Sequence, residues 1–284
     1  MKELTYFNGE MVEPGAKVVS LDDRGYCFGD GVYEVVRVYN GRAFAFSYHQ
    51  DRLYRSMREM DIPVRMPPDE LQELHEIMIE QSEITDGYIY LQITRGVTPR
   101  HHAFERSKLE PQMYMFIKPI TTDLSAFQQG VKAITLPDER WARVDIKTLN
   151  LIPNILAQTK AEKKGAYTAI LVRDGIVTEG ATSNVFVMKD GVCYTHPADH
   201  HILKGITRQL VVTRVAPTAG ITVIEREFDE AFLQDADEIF FTDTIGGIIP
   251  ITTLNREPVG DGTPGKAAKV LTEQLQHLME EGLA

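Results

Sequence analysis

Lys147 is the residue of this sequence whose setting best suits covalent chemistry. It lies in the segment 145–150, where Ile146 and Leu149 are its apolar neighbours. In a dry setting desolvation disfavours the charged ammonium, and the neutral amine can attack a carbonyl group to form a Schiff base. The alternative is that Lys147 ends a strand and extends its ammonium into water, as most lysines do. The segment alone leaves both interpretations open.

Glu179 is a second residue that could serve a reactive ring. It ends a predicted hairpin over residues 168–179 and precedes Gly180 and a predicted strand over residues 185–188. A carboxylate at a strand end, followed by glycine and small hydroxyl residues, suits the close approach of a cofactor ring, because glycine has no side chain. The same pattern is equally typical of an ordinary turn.

An anion site is predicted where a helix opens in the second half. Residues 202–208 begin this helix, and backbone N–H groups at a helix start have no intrahelical partners. With Gly205 and Thr207 beside them, these groups can bind an anion without a charged side chain. The predicted strand 238–241 leads to a loop with the hydroxyl residues Thr242 and Thr244, which would suit the remaining oxygens of one phosphate.

Two candidate site residues lie on predicted elements of the first half. Tyr33 is on a strand predicted over residues 32–39, from which its hydroxyl can project into a site or pack in the core. Arg52 is on a helix predicted over residues 48–60, with Ser47 as its N-cap. An arginine binds a phosphate or carboxylate through two N–H groups, although a solvated helix face is its more common place.

A loop with three potentially cationic side chains follows the predicted strand 88–95. It contains Arg100, His101 and His102 in succession. Such a loop on an acidic chain suits an anion clamp, because loops that follow strands often carry binding residues. An exposed polar loop is the alternative.

The remaining pattern predicts an α+β chain in two parts. An N-terminal α/β domain is expected over residues 1–118, a linker over 119–123 and a larger, strand-rich C-terminal domain over 124–284. Helices and strands follow from apolar spacing and turn residues. Outside the candidate sites these elements are strands at 4–7, 11–12, 112–118 and 131–136 and helices at 69–81, 154–165 and 265–281.

Composition limits the class of partner. The chain has 284 residues, 43% hydrophobic and 25% charged, with a formal net charge of −11. An acidic surface argues against nucleic acid or an anionic membrane as the main partner. Cys27 and Cys193 are far apart and show no metal-type spacing, so reduced thiols and a cytoplasmic location are expected. No apolar run approaches the roughly 18 residues of a membrane span, and the first residues lack the apolar core of a signal peptide.

Five motifs together resemble one family. In order and with compatible gaps, they make the chain similar to the fold-type IV pyridoxal phosphate enzymes, and within these to bacterial D-amino acid aminotransferases. The resemblance covers nearly the whole length, and the motifs are Arg24 to Glu34, Thr94 to Gly96 with Arg100 and His102, Asp145 to Asn150, Thr178 to Gly180 with Ser183 and Asn184, and Leu203 to Arg208.

The resemblance implies a role for each candidate residue. Lys147 would be the Schiff-base lysine and the acid/base that moves a proton between the substrate Cα and C4′ of pyridoxal 5′-phosphate. Glu179 would pair with the pyridine nitrogen and keep it protonated. The phosphate would be held by Arg52, the N–H groups of Ile206 and Thr207 and the hydroxyl of Thr244, and Leu203 would pack against the ring.

The resemblance also implies how the substrate and a second subunit take part. Tyr33, Arg100 and His102 would receive the substrate α-carboxylate, with Arg100 and His102 supplied by the partner in a homodimer. The expected reaction is a ping-pong transamination between a D-amino acid, such as D-alanine or D-glutamate, and a 2-oxo acid, such as pyruvate or 2-oxoglutarate. The alternatives are a branched-chain L-amino acid aminotransferase, an aminodeoxychorismate lyase and a non-catalytic protein that binds the cofactor.

The chain departs from the family pattern near the cofactor. Ala181 and Thr182 stand where the family has serines, and Asp243 and Ile245 stand where it has hydroxyl residues. An acid beside a phosphate site is unexpected, since like charges repel. Asp243 is therefore expected either to turn away from the phosphate or to weaken its binding.

Overall fold

The computed structural model describes residues 1–282, and the chain divides into two compact units. The first contains Met1–Thr121, Ile146–Asn150 and residues 279–282, and the second contains Thr122–Asp145 and Leu151–Leu278. The segment Ile146–Asn150 thus groups with the first unit, whereas the sequence placed it in a domain over 124–284. Residues 283 and 284 of that predicted domain lie outside the described residues.

Eight α-helices lie among the strands of residues 1–282. In chain order they are α1 Arg24–Phe28, α2 Phe46–Glu59, α3 Pro68–Ser82, α4 Ile152–Lys163, α5 Ile206–Leu210, α6 Ala216–Thr218, α7 Glu230–Gln234 and α8 Lys266–Glu281. Short 3₁₀ turns lie at Arg106–Lys108 and Leu124–Gln129, and a π-helical turn over Val211–Val215 joins α5 to α6.

The strands form one sheet in each unit. In chain order they are β1 Leu4–Phe7, β2 Glu10–Val12, β3 Gly31–Tyr39, β4 Arg42–Ala43, β5 Asp86–Thr94, β6 Gln112–Pro119, β7 Val131–Pro137, β8 Thr168–Arg173, β9 Ile176–Gly180, β10 Asn184–Lys189, β11 Val192–Thr195, β12 Val223–Glu225, β13 Glu238–Asp243, β14 Gly247–Leu254 and β15 Glu257–Pro258.

The sheet of the first unit is antiparallel and six-stranded, in the order β2-β1-β6-β5-β3-β4. Its core is closed by α2 and α3, which contribute Leu53, Met57, Leu71 and Met78, each at most 2% exposed. Both helices and the hairpin of β1 and β2 were predicted from apolar spacing, and the structure confirms them.

The start of α2 differs from the sequence prediction. Its N-cap is Ala45, in the left-handed conformation with φ 53°, and no side chain caps the helix. The prediction that Ser47 is the N-cap is therefore wrong, because the chain enters the helix two residues earlier through this tight turn. Left-handed backbone is unusual for alanine, so tertiary packing outweighs local preference here.

The glycine-rich segment before β3 folds as a short helix followed by a close backbone approach. Asp23 caps α1 by accepting hydrogen bonds from the N–H groups of Gly25 and Tyr26. Gly31 then begins β3, and a Cβ there would lie 2.6 Å from the carbonyl oxygen of Ile93. Gly31 therefore lies where a side chain would collide with the neighbouring strand, and α1 occupies the segment before it.

The buried imidazole of His75 should make the first unit sensitive to acid. His75 lies on α3, is 2% exposed, and its Nδ1 is 2.7 Å from the carbonyl oxygen of Leu71. Burial is the main cause that lowers the pKa of His75 to about 4, from an ordinary 6.5. The unfolded chain therefore binds a proton between these pH values that the folded chain does not bind, and stability falls as pH falls.

His75 alone should lower the free energy of unfolding by up to about 3 kcal/mol as pH falls from about 6.5 to about 4. His75→Leu should reduce this loss, which urea unfolding at a series of pH values measures. His277→Gln on α8, an exposed histidine, should keep the wild-type dependence. Equal slopes for His75→Leu and wild type would contradict the assignment.

The sheet of the second unit is mixed and nine-stranded. Its main path runs β12-β11-β10-β13-β14-β7-β8-β9, and β15 pairs with β14. Strands β7 and β8 are parallel to each other, and β8 and β9 form the predicted hairpin. Helix α4 packs Ala157 and Ala161 against Leu171 and Ala181 of this unit. Glu179 and Asn184 therefore lie on strands of a well-packed sheet.

Candidate active site

Lys147 is held by its backbone on both sides and lies beside Tyr33. Its N–H group donates to the Ser56 hydroxyl at 3.3 Å, and its carbonyl oxygen accepts from the Tyr33 N–H at 3.0 Å. Its Nζ is 4.3 Å from the centre of the Tyr33 ring. Lys147 is half-buried, and Ile146 beside it is buried. The structure therefore places the predicted reactive amine next to one predicted substrate residue.

Arg52 forms a buried pair with Glu34 in the same unit. Its Nε and Nη2 donate to the two carboxylate oxygens of Glu34 at 2.9 and 2.6 Å. Burial raises the pKa of Glu34, but Arg52 and His49 together outweigh burial and hold that pKa well below its ordinary value. This bidentate pair fixes the plane of the guanidinium, which is the geometry that arginine uses to bind oxyanions.

His49 adds a neutral imidazole to this group. Its Nδ1 lies 3.4 Å from Oε1 of Glu34, and its side chain is 2% exposed. Burial lowers the pKa of His49, and the positive charges of Arg52 and Lys147 act in the same direction. The imidazole therefore adds no charge to the buried pair of Arg52 and Glu34.

Arg100 and His102 are exposed and share one aromatic support. The Arg100 guanidinium lies 4.9 Å from the centre of the Phe28 ring, and the His102 ring centre lies 5.5 Å from it. Cation–π contact of this kind orients an arginine without neutralising it. Arg100 and His102 of the predicted anion clamp thus lie side by side, while His101 makes a local contact with the Ala103 carbonyl oxygen.

Arg24 holds the backbone of the segment that carries these side chains. It is 4% exposed, and its Nη1 and Nη2 donate to the carbonyl oxygens of His101 and His102 at 2.6 and 3.0 Å. Its Nε donates to Asp30, which also binds Arg95. Sequence reasoning gave Arg24 no role of its own, because an arginine in a motif does not reveal which carbonyl oxygens it reaches.

In the second unit, Glu179 is the centre of a buried hydrogen-bond network. The Arg140 guanidinium and the Asn184 amide each donate to it, Asn184 at 2.7 Å. The backbone N–H of Leu203 donates to both carboxylate oxygens at 3.1 Å. Glu179 is 5% exposed. Three donor groups, which make four hydrogen bonds to one carboxylate, hold it at a single position and orientation.

Arg140 extends this network to a second acid. Its Nη2 donates to Asp138 at 2.7 Å. Burial raises the pKa of Asp138, but the hydrogen bonds and charge of Arg140 outweigh burial, and the pKa falls to about 2. Burial raises the pKa of Glu179, and Arg140 and the Leu203 N–H oppose this rise. Arg140 was missed from the sequence because the spacing between residues 138 and 179 does not show that they meet.

The predicted phosphate donors of this unit are brought together at the start of α5. The helix begins at Ile206 with Gly205 as its N-cap and no side-chain cap. The Thr207 hydroxyl donates to the carbonyl oxygen of Asp243 at 2.8 Å, which ties the helix start to the turn that contains Thr244. The first N–H groups of a helix lack intrahelical partners, so an anion can bind there.

Asp243 is turned toward its own backbone. Its Oδ1 accepts from the N–H groups of Ile245 and Gly246 at 2.8 and 2.6 Å, which closes the turn between β13 and β14. Burial raises the pKa of Asp243. Two alternatives were expected for Asp243: a carboxylate turned away from the phosphate, or one that weakens phosphate binding. The contacts of Oδ1 within the turn favour the first alternative.

Ser183 and Gly205 are both neighbours of Asn184 in this part of the unit. A Cβ at Gly205 would lie 2.0 Å from Oδ1 of Asn184, so only glycine fits at this N-cap. The Ser183 hydroxyl is buried and has no hydrogen-bond partner within residues 1–282. A buried unpaired hydroxyl costs free energy unless a ligand or water satisfies it. This hydroxyl and the first N–H groups of α5 fit a ligand with polar groups such as a phosphate.

Among the residues described, 1–282, no helix has the length and apolar composition needed to cross a membrane.

The chain is similar to known aminotransferases over almost its whole length. It is 40% identical to D-alanine aminotransferase of Staphylococcus aureus (strain MSSA476) over 278 residues, which is 98% of each chain. It is 44% identical to D-alanine aminotransferase of Listeria monocytogenes serotype 1/2a (strain 10403S) over 277 residues, which is 96% of this chain and 94% of the relative.

Solved structures show the same fold. The branched-chain amino acid aminotransferase of Escherichia coli superposes with a TM-score of 0.90 at 27% identity, covering 97% of this chain and 94% of that one. The PLP-bound form of a hypothetical aminotransferase from Mycobacterium tuberculosis gives 0.85 at 26%, covering 97% and 98%. The expected α+β fold of type IV is confirmed. The family model for amino-transferase class IV matches residues 31–254, and the chain therefore belongs to that family of enzymes.

Proposed function

We propose that this enzyme transfers the amino group of a D-amino acid, of the D-alanine or D-glutamate type, to a 2-oxo acid such as pyruvate or 2-oxoglutarate. The observation that carries the proposal is the near full-length identity to D-alanine aminotransferases. The two half-reactions follow a ping-pong order, because donor and acceptor use the same carboxylate-binding residues in turn.

Pyridoxal 5′-phosphate is the cofactor that the family uses, and the residues present fit it. Lys147 would attach its aldehyde, Glu179 would pair with the pyridine nitrogen, and Leu203, whose N–H holds Glu179, would pack against the ring. The phosphate would be held by the four residues predicted for it, Arg52, Ile206, Thr207 and Thr244. When bound, the cofactor would supply an electron sink for the pair that remains on the substrate Cα after its proton is removed.

The protein's own part in the chemistry is proton transfer and orientation. Lys147 would remove the Cα proton, since an amine held by its backbone and set beside the Tyr33 ring can act repeatedly from one position. Glu179 would place its carboxylate beside the pyridine nitrogen and keep that nitrogen protonated. Three donor groups hold this carboxylate, so it would not need to reorganise during the reaction.

The substrate α-carboxylate would be bound by Tyr33, Arg100 and His102. Exposure of Arg100 and His102 supports the proposal that they serve the site of a partner subunit, so that the active form is a homodimer. Their common contact with Phe28 keeps both side chains on one surface. We also propose a cytoplasmic location, because Cys27 and Cys193 are both unpaired thiols.

The direct test is a substrate panel. With D-alanine and 2-oxoglutarate, the purified enzyme should form pyruvate, measured with a coupled lactate dehydrogenase, and L-alanine and L-leucine should give no turnover. Turnover confined to L-leucine would instead identify a branched-chain aminotransferase, the function of the E. coli protein that shares the fold. Pyruvate released from aminodeoxychorismate without an amino acceptor would identify a lyase, and no half-reaction with any amino acid would identify a non-catalytic protein.

Arg24→Lys should weaken substrate binding with little effect on the chemical step. Lysine keeps the charge beside Asp30 but cannot donate to the carbonyl oxygens of both His101 and His102. We expect KM for D-alanine to rise about tenfold, because the loss of one charged hydrogen bond costs about 1.5 kcal/mol of binding free energy. The value of kcat should change less than about twofold. Steady-state kinetics measure both constants.

Arg106→Lys is the matched control for this substitution. Arg106 lies in the same part of the chain, its side chain is 57% exposed, and it pairs with Asp61 at the surface. Such a pair contributes little, so KM should stay at the wild-type value. A fall in kcat at unchanged KM for Arg24→Lys would mean that Arg24 does not position the carboxylate-binding residues.

A further inference from the structure

A cluster of metal-ligating side chains lies on the segment between β11 and α5, outside the residues assigned to the cofactor and substrate. His196, Asp199 and His201 each offer one ligand atom, and these atoms lie within 4.8 Å of one another. Nδ1 of His201 is 3.5 Å from Oδ2 of Asp199, and Nδ1 of His196 is 3.9 Å from Oδ1. Two imidazoles and one carboxylate are a donor set that suits zinc and its neighbours among the transition metals.

The cluster combines one fixed ligand with two that can adjust. His196 is 1% exposed, whereas the side chains of Asp199 and His201 are 33% and 30% exposed. Ligand atoms around tetrahedral zinc, each about 2.0–2.2 Å from the metal, lie about 3.3 Å apart. Small side-chain rotations of Asp199 and His201 would bring the cluster to that spacing, and their exposure lets an ion enter and keep a water ligand.

A backbone contact supports the position of Asp199, because the His201 N–H donates to its Oδ1 at 2.8 Å. Outer contacts of this kind orient metal ligands before the metal binds. The carbonyl oxygen of His201 also accepts from Arg140 at 3.3 Å, so the cluster is joined to the network around Glu179.

We propose that His196, Asp199 and His201 bind one divalent transition-metal ion of the zinc class. The site lies on the segment that also carries Leu203, whose N–H group holds Glu179. A bound ion would therefore restrain a segment that supports the proposed cofactor site. The proposal does not depend on the transamination reaction, and its test needs no substrate.

The test is a zinc titration of the holoenzyme, without a histidine tag and after dialysis against EDTA, by isothermal calorimetry. We expect one site per chain, and a rise in Tm of about 5 °C when free zinc is 100-fold above Kd. Asp199→Asn and His201→Gln should each weaken binding at least about tenfold, since even outer-shell partners of metal ligands contribute 10–100-fold. Circular dichroism confirms that each variant is folded.

His200→Gln is the matched control. His200 is exposed and its ring centre lies 3.9 Å from that of His201, but it is not one of the three ligands. This variant should bind zinc with wild-type affinity. If both Asp199→Asn and His201→Gln bound zinc with wild-type affinity, zinc would be bound elsewhere, to the cofactor or a thiol, and the proposal would be overturned. An equal loss of affinity in His200→Gln would also overturn it.

Discussion

Lys147→Ala is expected to lower kcat for D-alanine by at least about 10³-fold, since it removes both covalent attachment and proton transfer, which alone contributes about 10²–10⁴-fold. The backbone contacts of residue 147 with Ser56 and Tyr33 do not involve its side chain, so the variant should fold normally. Steady-state kinetics with D-alanine and 2-oxoglutarate measure the loss. Added methylamine should restore part of the activity, because it replaces the missing amine.

Lys163→Ala provides the control for this result. Lys163 is an exposed lysine at the end of α4, and its loss should leave kcat unchanged. Borohydride reduction followed by peptide mapping should find the cofactor label on Lys147 in wild type and in Lys163→Ala. A label on another lysine, or kcat near wild type in Lys147→Ala, would show that the reactive amine lies elsewhere.

Glu179→Gln is expected to lower kcat about 10²-fold with a smaller change in KM. A neutral amide cannot keep the pyridine nitrogen protonated, and the lost charge acts on the transition state more than on substrate binding. Stability should fall less than for an isolated buried charge, because Arg140 keeps its pair with Asp138. Steady-state kinetics, together with the absorption spectrum of the bound cofactor, measure the change.

Glu139→Gln is the matched control for Glu179→Gln. Glu139 is exposed and lies beside Arg140 in the sequence, so its replacement removes one negative charge without touching the network. Wild-type kinetics are expected for it. If Glu179→Gln retained wild-type kcat and an unchanged spectrum, the carboxylate would be structural only, and Asp138 would be the next acid to replace.

Local pattern determined most of the elements in advance. Apolar residues at helical spacing predicted α2 and α3, and turn residues between apolar runs predicted the hairpin of β8 and β9, all of which the structure confirms. These patterns are reliable because side-chain periodicity follows directly from backbone geometry. The same local reasoning did not predict β14.

Strand β14 was missed because it contains Pro250, and proline usually excludes a central strand. In the structure, Pro250 pairs with Phe240 of β13, and pairing with β7 begins one residue later at Ile251. Pro250, which lacks a backbone N–H, therefore lies at a position of β14 where β7 does not yet pair with it. Only the register of three strands, which depends on the whole sheet, decides this.

For the site, the sequence by itself determined the residue types and, through five motifs in order, the family. It placed Lys147 among apolar neighbours and Glu179 at a strand end, and the structure agrees with both positions. Tertiary structure alone decided the partners: Arg140 for Glu179, Glu34 for Arg52 and Arg24 for the backbone beside His102. Each of these contacts joins residues far apart in the chain. The physical reason is that an unpaired charge is costly when it is buried, so the fold must supply a partner that the local sequence does not contain.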